Sequence, residues 1–278
     1  AWAFATARVE APQLFGAIAH LPPSGLSKFN PQEVAMLAWA FATARVEAPR
    51  LFDAIAIATQ PRIGEFAPQG LANTAWAFAT AGADAPRLLA AIADAVRSRL
   101  GEFTAQGLSN TAWALACLDW TEDPRVFVAL ADACVDRVTT MNDEGLSQLH
   151  LVALHFRLEW PDESFPLSPQ CDETLREAYE RTGRSPSKLR SDVKATLDRL
   201  GWRHVCDHVT AEGLSLDMAQ PATKRAVEAG GSSRFLREVS STRYVENGPT
   251  RFKARLLERL GWDVVQVPFS EWTALTSD

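Results

Sequence analysis

The chain has 278 residues, of which 47% are hydrophobic and 22% charged, the balance of a globular protein long enough for two domains. No apolar run reaches the length of a membrane span. The net charge of −6 argues against strong nonspecific binding to a polyanion, which needs an excess of Lys and Arg. The four cysteines (Cys117, Cys134, Cys171, Cys206) form no CxxC or Cys/His ligand spacing, so ordinary buried thiols are expected. His150/His155 and His204/His208 are five and four residues apart, a possible metal face, but no third ligand is near them in sequence. No metal and no cofactor are expected.

From the N-terminus the chain is periodic. Trp2, Trp39, Trp76 and Trp113 are each 37 residues apart, and the segments around them agree. Phe66-Ala67-Pro68-Gln69-Gly70-Leu71-Ala72-Asn73-Thr74-Ala75-Trp76 is answered by Phe103-Thr104-Ala105-Gln106-Gly107-Leu108-Ser109-Asn110-Thr111-Ala112-Trp113. A weaker copy follows at 141–157, one residue late, with Leu151 in place of the tryptophan. The chain opens inside a repeat, so further repeats and any targeting segment are expected upstream.

Each unit reads as two helices. In the third copy the first helix is predicted from Pro68, suited to a first helical position, to Ala81, with Gly82 as its stop. Leu71, Ala75, Phe78 and Ala79 supply its apolar stripe. The second helix is predicted from Pro86 to Leu100, with Leu88, Ile92 and Val96 inward and Gly101 ending it. A single hairpin cannot bury its apolar face alone, so residues 1–160 are expected to stack as an α-solenoid of helical hairpins. The repeat resembles the octotricopeptide and heptatricopeptide repeats of algal and apicomplexan organelle proteins. That resemblance implies one nucleotide read per repeat, by side chains near the start of the first helix.

Gln69 and Asn73 share one helix face, and Gln106 and Asn110 match them in the next copy. Amides suit base edges because each offers a donor and an acceptor. The same residue types recurring in successive copies also fit a fixed job, such as linking neighbouring hairpins. Both readings stand. The tryptophans are expected in the core rather than as stacking platforms.

After Trp160 the period stops. Residues 161–184 are expected to be a linker with a short helix at Glu173–Arg181, and residues 185–278 a small α/β domain. Its predicted elements are a helix at Ser185–Leu200, strands at Arg203–Val209, Leu214–Met218 and Arg225–Glu228, an amphipathic helix at Arg251–Leu260, a strand at Val264–Phe269, and a last short helix with Trp272.

The motifs Leu214-Ser215-Leu216-Asp217-Met218-Ala219, Ala226-Val227-Glu228, Asn247-Gly248-Pro249-Thr250 with Lys253, Leu260-Gly261-Trp262, Val267-Pro268-Phe269 and Glu271-Trp272, in that order, resemble the RAP domain. The resemblance implies a restriction-endonuclease-like fold and a role in organellar RNA processing, stability or translation. It also raises a nuclease, in which Asp217 and Glu228 on adjacent strands would hold a divalent metal. The family continues past the glutamate with an acid and a histidine where this chain has Gly230 and Arg234. Asp217 and Glu228 are therefore read as vestigial, and the protein as not an enzyme.

Charge is segregated. Residues 221–260 hold nine Lys and Arg against four Glu, whereas residues 1–160 hold eleven against sixteen acids. Lys253, Arg255 and Arg259 on the predicted helix, with Arg234, Arg237 and Arg243 before it, are the expected phosphate contacts. The expected partner is single-stranded or ribosomal RNA, in a mitochondrion or alternatively a plastid. The other reading is a structural subunit bound to proteins and RNA of an organellar ribosome or similar assembly.

Overall fold

The computed structural model describes residues 1–182, 187–239, 241 and 243–276. Ser185 and Pro186, at the start of a predicted helix, lie outside them.

Residues 1–160 build two layers of helices. The inner layer is α1 (Trp2–Thr6), α4 (Pro31–Thr43), α6 (Pro68–Ala81), α8 (Ala105–Cys117) and α10 (Asp143–Glu159); the outer layer is α2 (Pro12–Ile18), α3 (Pro23–Leu26), α5 (Pro49–Thr59), α7 (Pro86–Arg97) and α9 (Pro124–Val135). Neighbouring inner helices pack side by side, because alanines such as Ala38, Ala40, Ala75, Ala77, Ala112 and Ala114 are fully buried and let the backbones approach. Proline opens α4, α5, α6, α7 and α9, where its missing N–H leaves no gap in the helix. Asn30 and Glu33 form a reciprocal capping box on α4.

Each of the first four inner helices ends on a left-handed residue. These are Arg8, Arg45, Gly82 and Asp119, with φ of 53°, 54°, 60° and 58°, again 37 residues apart. Of the four only Gly82 lacks the Cβ that disfavours this turn; the other three adopt it at a conformational cost of roughly 1 kcal/mol each.

Two devices join successive repeats. Phe15 meets Phe41 edge-on at 4.9 Å, and the equivalent pair Phe52 and Phe78 at 5.0 Å. Arg62, Arg99 and Arg137 each donate back to the previous repeat, to the carbonyls of Phe29, Phe66 and Phe103 at 3.1, 2.9 and 2.8 Å. Arg99 is held in place by Glu102 at 2.8 Å. Arg99→Ala is expected to lower unfolding stability by about 1–2 kcal/mol, measured by urea titration, since a charge-assisted bond to a half-buried carbonyl is lost. An unchanged midpoint would show that the staple is decorative.

The predicted linker is part of the packed structure. After the loop at 161–168, α11 (Pro169–Thr182) lies against α10 with Leu175 and Ala178 fully buried. It covers the last repeat.

The C-terminal unit follows with α12 (Lys188–Arg199), β2 (Val205–Val209), β3 (Ser215–Gln220), β4 (Arg225–Gly230), β5 (Phe235–Glu238), β6 (Tyr244–Glu246), α13 (Gly248–Arg259), β7 (Asp263–Pro268) and α14 (Phe269–Thr276). One sheet runs β2-β3-β4-β7, antiparallel except for the parallel β4/β7 pair that α13 connects. Helix α12 covers one face through Val193 against Met218, Val227 and Ala229. On the other, Phe252, Leu256 and Leu257 of α13 join Leu216, Ala219 and Ala226 in a core continuous with that of the repeats. Helix α13 is therefore a middle layer, between sheet and solenoid.

A second, small sheet crosses the boundary. Val46–Glu47 (β1), just after α4, pairs in parallel with Arg237 and Glu238 of β5, which pairs with β6. No described helix is long and apolar enough to cross a membrane. Burial pushes the thiols of Cys117 and Cys134 up to about 12, as befits inert core cysteines.

Candidate nucleic-acid interface

Helix α13 has two working faces. Asn247 caps it by accepting from Thr250 N at 3.0 Å. Pro249 sits in its first turn. Phe252 and Leu256 point into the core, so Arg251, Arg255 and Arg259, four residues apart, form a row along the helix.

That row meets the C-terminal ends of the inner helices. Arg251 donates to the Gly82 carbonyl at 2.6 Å, at the end of α6. Arg255 donates to the Ala116 and Cys117 carbonyls at 2.5 and 3.3 Å, at the end of α8, and pairs with Asp119 at 3.2 Å. Arg259 pairs with Asp119 at 3.5 Å and with Glu159, at the end of α10. Helix C-termini carry unpaired carbonyls and the negative end of the helix dipole, so three cations cap three helices. Arg255 and Arg259 thus do not form the free cationic face expected from the sequence. Their partners are the repeats.

Lys253 points the other way, into a charge cluster on the sheet. Its Nζ lies 2.9 Å from Glu228, which Arg234 also meets at 2.5 Å. The other Glu228 oxygen accepts from Asp217 N at 3.1 Å, and Asp217 accepts in turn from Ala229 N at 2.9 Å. Arg190 reaches Asp217 at 3.4 Å and Asp207 at 2.5 Å. Burial alone would push Glu228 up, but Lys253 and Arg234 hold it below the ordinary carboxylate range. Asp217 is raised, by burial and by the Glu228 charge. The Tyr179 phenol on α11 is also raised, by burial and by that same charge. Two carboxylates on adjacent strands are therefore present, as the sequence predicts. Arg234 and Lys253 hold the oxygen of Glu228 that a metal would need, and a peptide N–H holds the other.

A second acidic group sits under α13. Asp119, His155 and Glu159 bring ligand atoms within 4.8 Å of one another. Both carboxylates are engaged by Arg255 or Arg259, so this is an ion-pair cluster. His155 is fully buried among Phe127, Trp160 and Phe252, and neither ring nitrogen has a hydrogen-bond partner. Burial, with Arg255 and Arg259 nearby, lowers it to about 3, so the ring is neutral. His155→Phe is expected to raise stability by about 1 kcal/mol, because it removes unsatisfied buried nitrogens while keeping an aromatic ring. It should also flatten the loss of stability between pH 6.5 and 3, where the unfolded histidine binds a proton that the folded one refuses. Calorimetric melts at pH 7 and 5 test both; equal pH slopes for variant and wild type would refute the assignment.

The predicted amides divide. Gln106 donates to Asn110 at 2.9 Å and, at 3.4 Å, to Gln148 of the next repeat, which is the hairpin-linking role. Gln69 is exposed and Asn73 half-buried, and their amides make no hydrogen bond among the described residues. The tryptophans grade similarly. Trp113 is buried, Trp39 and Trp76 are half-buried, and Trp2 is exposed. Gln69, Asn73, Trp76 and Thr80 lie on one stripe of α6. Arg237 and Arg243 are exposed and have no acidic partner among the described residues. Two contributions escaped sequence reasoning. These are the capping role of Arg251 and the arginines Arg8 and Arg45, whose 37-residue register with Gly82 and Asp119 was the available signal.

The stretch from β4 through α14 decides what the C-terminal unit is: residues 227–278 match the RAP domain model. The chain carries a RAP domain. The match contains Glu228, Arg234 and all of α13, and β3 extends its sheet by hydrogen bonding to β4. The RAP domain is associated with RNA binding. Over 142 residues the chain is 28% identical to a protein of Oryza sativa subsp. japonica described as "RAP domain-containing protein, chloroplastic". That alignment covers 48% of this chain and 20% of the rice protein, so the chain spans about a fifth of that relative's length.

Proposed function

We propose that this protein binds single-stranded RNA in an organelle and acts in RNA processing, stability or translation. One observation carries the reading: α13 locks the RAP domain onto the ends of the inner helices, among them α6, which presents the unpaired amides of Gln69 and Asn73. Repeats and RAP domain then offer one continuous surface, with amides for base edges and Arg237 and Arg243 for phosphate. The chloroplast designation of the rice relative favours a plastid over the mitochondrion expected from sequence.

We further propose that the domain performs no nuclease chemistry, since Arg234 and Lys253 neutralise Glu228 where a metal would be needed. RNA cleavage with Mg²⁺ or Mn²⁺ that disappears in Glu228→Gln would overturn this.

The binding test is a short random single-stranded RNA pool at two salt concentrations. Arg237→Ala/Arg243→Ala is expected to weaken binding and to lower the log–log salt slope by about two, roughly one per phosphate contact. No binding by the wild type at low salt refutes autonomous RNA recognition. A second reading, a structural subunit of an organellar ribosome or similar assembly, is favoured by the net charge of −6 and by the capture of Arg255 and Arg259 at the seam. It predicts docking to protein partners that salt barely weakens.

A further inference from the structure

The seam between repeats and RAP domain is closed at one end and open at the other. At the third and fourth inner-helix turns stand Gly82 and Asp119, and α13 supplies the arginines that cap them. At the first two turns the repeats themselves carry Arg8 and Arg45, and α13 does not reach that far. There a cavity of about 610 Å³ remains, a size usual for small-ligand sites, which run roughly 300–1,000 Å³.

Its lining is mixed in a particular way. Trp76 offers a half-buried indole. Thr43 and Thr80, one repeat apart, have buried hydroxyls with no hydrogen-bond partner, and Thr80 is only 9% exposed. Arg8 and Arg45 come from the repeats and Arg237 from β5, whose N–H donates to the Arg45 carbonyl at 2.8 Å. None of the three guanidiniums has an acidic partner among the described residues. Glu10 and Glu238 also line the cavity, leaving one net positive charge.

A planar ring face, unsatisfied hydroxyls and free guanidiniums together suit a ligand with an aromatic ring, polar edges and an anionic group. We propose that this seam cavity takes one nucleotide of a bound RNA strand, its base against Trp76 and its phosphate among Arg8, Arg45 and Arg237. The proposal rests on the RNA-binding reading above and deepens it: both components of the chain would hold the same nucleotide, so neither would suffice alone.

The test uses the full chain with a short single-stranded RNA pool, adenosine 5′-monophosphate and inorganic phosphate as probes. Arg45→Ala/Arg237→Ala removes exposed side chains and should leave the melting temperature unchanged. It is expected to reduce RNA affinity at least tenfold. Ultraviolet crosslinking of wild type to RNA should label the peptide containing Trp76, and adenosine monophosphate should suppress that label better than phosphate does. RNA bound equally well by the double variant, with crosslinks elsewhere, refutes the cavity and the phosphate role of Arg237, while RNA binding by the chain itself stands. Suppression by phosphate as effective as by the nucleotide makes it a plain anion site and overturns the proposal. No RNA binding by wild type overturns both.

Discussion

Alanine at position 248 is expected to loosen the RAP domain from the repeats and to destabilise the chain by about 2–3 kcal/mol, the range for an overpacked site that cannot yield. A Cβ on Gly248 would lie 1.7 Å from the Ala79 carbonyl oxygen and 2.9 Å from its carbon. Those atoms are backbone at the end of α6, so α13 must slide. Sliding takes Arg251 and Arg255 away from the Gly82, Ala116 and Cys117 carbonyls and exposes the core under Phe252. Limited proteolysis should release a fragment starting near α12, and the thermal midpoint should fall. Gly231→Ala is the control, because a Cβ there meets nothing within 4 Å. A Gly248→Ala protein that melts and digests like wild type would show that the docking is not close-packed at this point.

Lys253→Met should cost about 3 kcal/mol at neutral pH, since removing one partner of a buried pair leaves charge behind, with Arg234 softening the loss. The Glu228 side chain is only 1% exposed. Its folded pKa is depressed, so its contribution is fully present above the unfolded carboxylate value and is lost as pH falls through the folded one. Without Lys253 the folded value climbs, and the variant loses less on acidification than wild type does. The stability gap between the two should therefore narrow from pH 7 to pH 4. The acid response of His155 is common to both proteins and cancels. Urea titrations at the two pH values decide; a gap that stays constant sinks the linkage. In Glu228→Gln/Lys253→Met the gap to wild type should be smaller at pH 7 than for Lys253→Met alone, because the variant buries no carboxylate without its lysine.

Much of the architecture was legible in the sequence. The 37-residue spacing of the tryptophans located the inner helices, and Pro68, Ala81 and Gly82 marked the bounds of α6 as observed. Four strands of the large sheet lie where alternation placed them. Pro161–Pro169 suggested a linker because Pro and acids look alike in a loop and in a tight helix–helix connection; only the packing of α11 on α10 separates them. Strand β1 was invisible, because two residues carry no period and its partner β5 lies 191 positions away. The amide pair Gln106/Asn110 left two roles open, and Gln148, from another repeat, decided for linkage there.

What the sequence determined by itself is what depends on neighbours along the chain: helix periods, caps, the repeat length, and the ordered motifs of a RAP domain. What only the tertiary structure decided is where the charges go. Lys253, Arg255 and Arg259 read as a phosphate-binding face on an isolated helix, yet Arg255 and Arg259, with Arg251, meet the ends of helices a hundred or more residues earlier, and Lys253 pairs with Glu228. A period is set by backbone geometry within a few residues. A charge takes whichever partner the fold brings within a few ångströms, and that partner is chosen by docking.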